Sequence, residues 1–571
     1  LQLILQALGC ATHYSDPIAV LNLEPVIVEL QQKIQDPDYI RQLARRLLLD
    51  NPHRVTLVMT PDTELSAHRL AQETARLADI KAAMSDAQRS ATVQLAADLS
   101  ARQAQVDDDS ILPKVELSDV PATLPEPTFT QTELHGMPFT TYGQGTNGIV
   151  YQQGTAPLPA LSAEQLQILP LYTNILTDVG LGDQSYMDVQ ERQAATVGSI
   201  AGFVSMRGHA DDEQRVSANF TLSSKALLRN ARDQAQLMSD TLHRVKFSET
   251  SRIRDLVNQQ RARRDQSITG SGHSLAMAAA SAGMSPLANM HHHQSGLAGI
   301  RQLRILDDSL ADDTRLEAFA LEVQKLHETL ISTPMQFLVI AEDHKVTDVA
   351  RDISTLWSQV STGEDRPRFE MTPIREQRGE IWLTNTQVNF CARAYPTVTE
   401  QHPDAAALTV LGGFLRNGFL HRAIREQGGA YGGGASHDSG IAAFRFYSYR
   451  DPRLVETLQD FDASVSWLLD TPHDDRSLEE AILGVIGSMD KPGSPAGEAK
   501  QHFHNRLFGR NHETRERFRE NILGVSLDDL RRVTETYLRP DLASTAIVTN
   551  SGQLEATASL REELNLTVQE L

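Results

Sequence analysis

At 571 residues and a formal net charge of −21, this chain is too long for one hydrophobic core and too acidic for a nucleic-acid partner. Single cores stop growing near roughly 250–300 residues, so roughly three or four packed units are expected, and a phosphate-binding face needs lysine and arginine in excess. The 40% hydrophobic and 22% charged content is that of a soluble globular protein, and the acidity is compatible with neutral or basic polypeptide ligands, though it serves solubility equally well. Two cysteines, Cys10 and Cys391, exclude a disulfide framework and a cysteine-ligated zinc, and favour a reducing, cytoplasmic setting.

The chain begins at Leu1 without a methionine or a basic leader, and reads as starting inside a helix of something larger. Leu1 to Leu8 is apolar but too short to span a membrane, so no membrane partner is expected. Tyr39 to Leu49 has helical periodicity and leads into a strand-like run, Arg54 to Thr60. That closing comes too early for a complete unit, so residues 1–63 read as the tail of a truncated domain. Residues 64–110, free of glycine and proline from Glu64 to Gln105, predict a helical hairpin bending near Ser85 and Asp86. Residues 111–128, rich in proline, predict an extended linker.

Two longer segments follow, 129–360 and 361–571. In the first, strand-like Thr140–Tyr142 and Gly148–Tyr151 precede a helix at Ser162–Thr177; helix Leu316–Ile331 then leads into strand Met335–Ala341. In the second, Glu380–Leu383 and Gln387–Ala392 precede a helix at Pro403–Glu426, and helix Leu527–Leu538 leads into strand Ala543–Thr549. Each runs strands, long helix, glycine-bearing joint, strands, helices and a closing strand. The two read as copies of one α+β plan.

The densest chemical signal is the run from Leu420 to Gly434. Leu408, Leu411, Leu415 and Phe419 form one apolar stripe of the helix that enters it. Gly428 and Gly429 read as its left-handed stop. Beyond it, Phe444 and Phe446 alternate with Arg445 and Tyr447 as in a half-buried strand. Arg425 thus falls in the last helical turn and Tyr431 in a flexible glycine track, from which both side chains reach one bound backbone. On spacing alone, the run is equally an ordinary helix stop beside an exposed tyrosine.

Among nineteen histidines, neither His-Glu-x-x-His nor its inverse His-x-x-Glu-His occurs. His291-His292-His293 is the only dense cluster; neighbours on a helix point different ways, so it reads as a polar loop rather than a three-ligand site. Gly270-Ser271-Gly272-His273-Ser274 and Gly143-Gln144-Gly145 lack the strand–loop–helix context and lysine of a phosphate cradle. No complete catalytic centre is legible from the residues alone.

The Arg425–Gly434 run resembles a motif of the pitrilysin/insulysin superfamily of zinc metallopeptidases. Supporting matches are Thr146–Tyr151, Ser274–Pro286, Asp490–Gly497 and Asp50–Thr56, and together they resemble its presequence protease branch. The resemblance implies two α/β-sandwich domains (129–360 and 361–571, family domains three and four), after the tail of domain two and the hairpin. It implies a clamshell whose halves enclose a chamber for unfolded peptides. The family's zinc motif belongs to its first domain, so this chain is expected to bind no metal and to partner an N-terminal half that carries Zn²⁺. Arg425 and Tyr431 match the family pair that reaches substrate across the chamber: Arg425 anchoring a peptide carbonyl or carboxylate, Tyr431 donating to the oxyanion. The alternative is a non-catalytic binding or scaffold subunit of the same superfamily.

Overall fold

The computed structural model describes residues 2–105, 111–357, 367–554 and 557–571. The chain divides into two compact units, Leu1–Pro113 and Lys114–Leu571. The first is helical: α1 (Gln2–Thr12), α2 (Glu24–Lys33), α3 (Tyr39–Ala44, continued by a π turn over Arg45–Leu49), α4 (Leu65–Ala83) and α5 (Asp86–Ala104). The bend between α4 and α5 falls where the sequence places it. Ser85 caps α5, its hydroxyl accepting from the Gln88 N–H at 3.3 Å while the Gln88 side chain accepts from the Ser85 N–H at 2.9 Å. Residues 106–110, where the hairpin was expected to end, lie outside the described residues.

The strand expected at Arg54–Thr60 does not form. Val55, Leu57, Val58 and Met59 are exposed, and no strand occurs among the described residues of this unit. A β-segment exists only as one side of a hydrogen-bonded pair. A suitable side-chain pattern with no neighbouring strand stays irregular.

The second unit holds two six-stranded sheets. The first contains β1 (Thr130–Leu134), β2 (Met137–Gly143), β3 (Ile149–Pro157), β4 (Ser199–Gly208), β5 (Val216–Leu227) and β6 (Gln336–Ala341), in the order β1-β2-β6-β3-β5-β4. The second contains β7 (Gly379–Leu383), β8 (Phe390–Pro396), β9 (Gly432–Asp438), β10 (Ala443–Tyr449), β11 (Ser544–Thr549) and β12 (Thr567–Glu570), in the order β12-β7-β11-β8-β10-β9. The internal pairings match. β2 and β6 are parallel, as are β7 and β11, and the other pairings among these five shared strands are antiparallel. Only the sixth strand differs: the first sheet takes it from the start of its segment as β1, antiparallel to β2, and the second from the chain end as β12, parallel to β7. The fold is therefore α+β with two copies of one sandwich plan.

Helices α6 (Ala163–Ile175), α7 (Tyr186–Thr196), α8 (Ala231–His243), α9 (Thr250–Ser281), α10 (Pro286–Gln294), α11 (Leu297–Ser309), α12 (Asp313–Ile331) and α13 (Val346–Trp357) accompany the first sheet in sequence. The second has α14 (Ala405–Leu415, continued by a π-helical segment over Arg416–Gln427), α15 (Val455–Asp470), α16 (Asp475–Met489), α17 (Pro495–Leu507), α18 (His512–Leu523), α19 (Leu527–Tyr537) and α20 (Ala558–Glu563). The linker lies on this framework: the Leu117 N–H donates to Glu479 at 3.0 Å, and the buried Arg519 donates to the Pro121 carbonyl at 2.6 Å and to Asp490 at 2.8 Å. The expected boundary at residue 360 lies outside the described residues.

Helix α9 joins the two sandwiches. It packs against α6, α11 and α12 on one side and against β8, β10 and β11 of the second sheet on the other. One apolar core accordingly runs from Phe139 and Phe220 through Leu275 and Ala276 to Phe390 and Val548. The Gly270–Ser274 run lies inside this helix, with a kink at Ser271 (φ −126°, ψ 19°). A Cβ on Gly272 would stand 2.5 Å from the Phe390 ring, so only glycine lets the helix approach the sheet there.

His327 is buried, its Nε2 2.9 Å from the Leu242 carbonyl and its Nδ1 3.0 Å from the Tyr172 hydroxyl. A carbonyl only accepts, so Nε2 carries the proton and Nδ1 receives the phenol's. Burial holds the pKa down from 6.5 to about 4. His292, also buried, is pushed down to about 3 by burial first, with His293 and Arg378 adding to it. Below the ordinary value the unfolded chain takes up protons that the native state refuses. Stability is therefore expected to be level above pH 6.5 and to fall as the pH drops from 6.5 towards 4. Melting curves between pH 7 and 5 check this, and His327→Gln should flatten the dependence; a Tm unchanged over that range contradicts it.

Candidate functional site

The site is built where the α14 helix, widened into its π-helical continuation, turns back into the second sheet. Leu420 and Ile424 are fully buried, which fixes the rotation of the last turns and leaves Arg425 facing outward. Of the two glycines, only Gly429 is left-handed (φ +78°); Gly428 stays right-handed at φ −82°. The Gly429 N–H donates to the Arg425 carbonyl and the Ala430 N–H to that of Ile424, both at 3.1 Å, closing the helix. The Tyr431 N–H then donates to the Tyr449 carbonyl at 3.1 Å.

The expected flexible glycine track is instead an ordered edge strand. Gly432 to Asp438 form β9, paired with β10 from Gly432 opposite Tyr449 to Asp438 opposite Ala443. Glycine has a low preference for strands, but pairing along a whole neighbour outweighs it.

Arg425 and Tyr431 are brought together. The Arg425 Nη1 donates to the Tyr431 carbonyl at 2.9 Å, and its guanidinium carbon lies 5.4 Å from the Tyr431 ring centre. The ring is 64% exposed and meets Tyr449 edge-on at 5.5 Å. Among the described residues its hydroxyl has no hydrogen-bond partner, so it is available to a ligand. Stacking and the backbone bond together hold an exposed cation beside an exposed phenol.

Sequence reasoning missed the neighbours of this pair. His273, just past the α9 kink, lies 4.7 Å from Tyr449 and 5.6 Å from Tyr447, ring centre to ring centre. Burial lowers its pKa. The alternation of β10 offered a signal, because Tyr447 and Tyr449 share a face at a spacing of two residues. Nothing local pointed to His273, whose approach depends on a helix from the preceding domain.

The described residues do not fit a zinc site. Among the described residues no group of three or more His, Cys, Asp or Glu side chains is placed to hold a metal ion. The His291–His293 triplet, expected in a polar loop, lies on α10. His292 packs edge-on against Trp382 at 5.7 Å, and the Nδ1 of His293 bonds the Asn289 carbonyl at 2.9 Å. The reason is the cap: Ser285 accepts from the Ala288 N–H and Pro286 opens the helix, so the histidines occupy its last turns and diverge. Among the described residues, no helix is long and apolar enough to cross a membrane.

Comparison with known proteins agrees with this architecture. A family model for the region associated with peptidase family M16, subfamily C, matches residues 59–306, and one described as PreP C-terminal domain matches residues 379–545. The mitochondrial presequence protease of Yarrowia lipolytica is 26% identical over 528 residues, covering 92% of this chain and 52% of that protein. That of Danio rerio is 26% identical over 553 residues, with 92% and 53% covered. The chain thus spans about half the length of the curated relatives it matches. Among solved structures, a conserved protein from Enterococcus faecalis V583 superposes with a TM-score of 0.56 at 14% identity, covering 74% of this chain and 99% of that one. The peptidase M16 inactive domain from Pseudomonas fluorescens gives 0.51 at 14% identity, with 74% and 98% covered. These structural likenesses speak to fold alone. With both matched models falling in order along the two sandwiches, the chain belongs to the M16 (pitrilysin/insulysin) peptidases, in the presequence protease branch, and corresponds to its C-terminal half.

Proposed function

We propose that this chain is the substrate-holding half of a zinc endopeptidase that degrades unfolded peptides in a closed chamber, and that the metal is carried by an N-terminal half. The observation that supports this most directly is the exposed Arg425–Tyr431 pair, held at the head of edge strand β9 by the 2.9 Å guanidinium–carbonyl bond. Arg425 offers fixed donors to a peptide carbonyl or terminal carboxylate. Tyr431 offers one O–H to the oxygen that gains charge when the scissile carbonyl turns tetrahedral. Enclosure would restrict substrates to unfolded peptides, because a folded domain does not enter.

The test is reconstitution. Pure 571-residue chain is expected to leave a fluorogenic peptide intact, and addition of the N-terminal half to restore cleavage that a chelator abolishes. Chelator-sensitive cleavage by the isolated chain would falsify the division of labour. A complex that forms but stays inactive would favour the scaffold reading instead.

A further inference from the structure

A second site lies in the first sandwich, between α6, α9, α11 and α12, where a cavity of about 450 Å³ opens to the surface. That volume is within the usual range for a small-molecule site, ~300–1,000 Å³. Ile168, Leu303 and Ile305 form its apolar wall, with Ile305 at 57% exposure an apolar residue left open to water. Gln260, Arg264 and Gln302 contribute polar groups. Gln260 and Arg264 stand four residues apart on α9 and so share a helix face.

Arg264 is unlike its neighbours. On the same helix Arg261 is bonded to Asp307 at 2.9 Å and Asp308 at 2.6 Å, and Arg304 of α11 to Asp265 at 2.9 Å. Around the cavity, Arg315 is neutralised by Glu322 at 2.8 Å. The half-buried Arg264 guanidinium has no hydrogen bond or ion pair among the described residues, and burial pulls its pKa down with no carboxylate acting against it. A partly desolvated cation without an acceptor is costly unless an anion completes it. The other arginine lining the cavity is already paired. The remaining lining carboxylate, Glu164, accepts from the Ser162 hydroxyl at 2.8 Å and forms no ion pair with Arg264 among the described residues, so the Arg264 guanidinium stands without an acceptor beside an apolar wall.

We propose that this cavity binds a single carboxylate carried on an apolar body, with Arg264 gripping the carboxylate and Ile168, Leu303 and Ile305 covering the body. Two sources share that chemistry: a medium-chain fatty acid, and the C-terminal residue of an apolar peptide. The site lies outside the Arg425–Tyr431 pair and does not depend on the function proposed for it.

Isothermal titration of the full chain with decanoate, and with an acetylated tripeptide ending in leucine, tests this. Saturable binding of at least one acid is expected, with decanol or the peptide amide weaker by about tenfold or more. Decanoate alone binding identifies a fatty acid as ligand, and the peptide acid alone binding identifies a peptide end. Arg264→Gln should weaken the bound acid about tenfold or more. Ile305→Glu, which sets a repelling carboxylate at the exposed wall without touching the core, should do the same. Arg425→Ala should leave the affinity unchanged. Saturable binding by neither acid, an affinity unaltered by Arg264→Gln, or a loss caused by Arg425→Ala would each overturn the assignment.

Discussion

Tyr431→Phe in the full-length peptidase is expected to lower kcat by about 100-fold to 1,000-fold, the usual effect of deleting one donor to a developing oxyanion. The substitution removes only the hydroxyl. The ring keeps its edge contact with Tyr449 and its place under the Arg425 guanidinium, so peptide binding and KM should change little. A kcat that survives the change, or a loss confined to KM, removes the role given to the phenol. Arg425→Ala should behave differently. It deletes the proposed substrate donor and also the 2.9 Å bond that holds the Tyr431 carbonyl, so KM should rise and kcat fall together. Steady-state kinetics on one fluorogenic peptide separate the two patterns.

The second large effect concerns the seam between the sandwiches. Gly272→Val is expected to destabilise the second unit by about 1–3 kcal/mol or more, because its Cβ would stand 2.5 Å from the Phe390 ring with both partners buried in one core. Neither side yields easily, since Phe390 sits on β8 opposite Val548 of β11. Gly270→Ala is the internal control. No atom lies within 4 Å of a Cβ there and the backbone is helical, so this change should stabilise by about 0.5–1 kcal/mol. Urea midpoints report both signs. Adding Phe390→Leu to Gly272→Val should recover part of the loss, and a strictly additive double mutant would show that the contact is not the cause.

Much of the fold was legible because its signals are local. The closings into β6 and β11 announce themselves through amphipathic periodicity, and the α4–α5 bend through a serine three residues before a glutamine. The inward Phe444 and Phe446 follow from alternation, and both are fully buried. The juxtaposition of Arg425 and Tyr431 was readable for the same reason, since six residues and a glycine reversal connect them.

The misreadings share another cause. Arg54–Thr60 has the side chains of a strand but finds no partner strand among the described residues, whereas Gly432–Gly434 has those of a loop and gains one in β10. The histidine triplet looked polar, yet packing turned His292 onto Trp382, some ninety residues further along the chain. His273 gave no hint that it would reach the tyrosines of β10.

By itself, then, the amino-acid order determined the α4–α5 bend, the helices that lead into β6, β11 and the Gly428–Gly429 stop, which faces of β10 turn inward, that two similar sandwiches follow one another, and which cation and phenol stand together. Tertiary structure alone decided which segments pair as strands, why Gly272 tolerates no side chain, and that Arg264 faces a cavity with no ion-pair partner among the described residues. The physical reason is range: periodicity, capping and turn preference act within a few residues, while strand pairing, close packing and charge compensation are settled by groups far away in sequence.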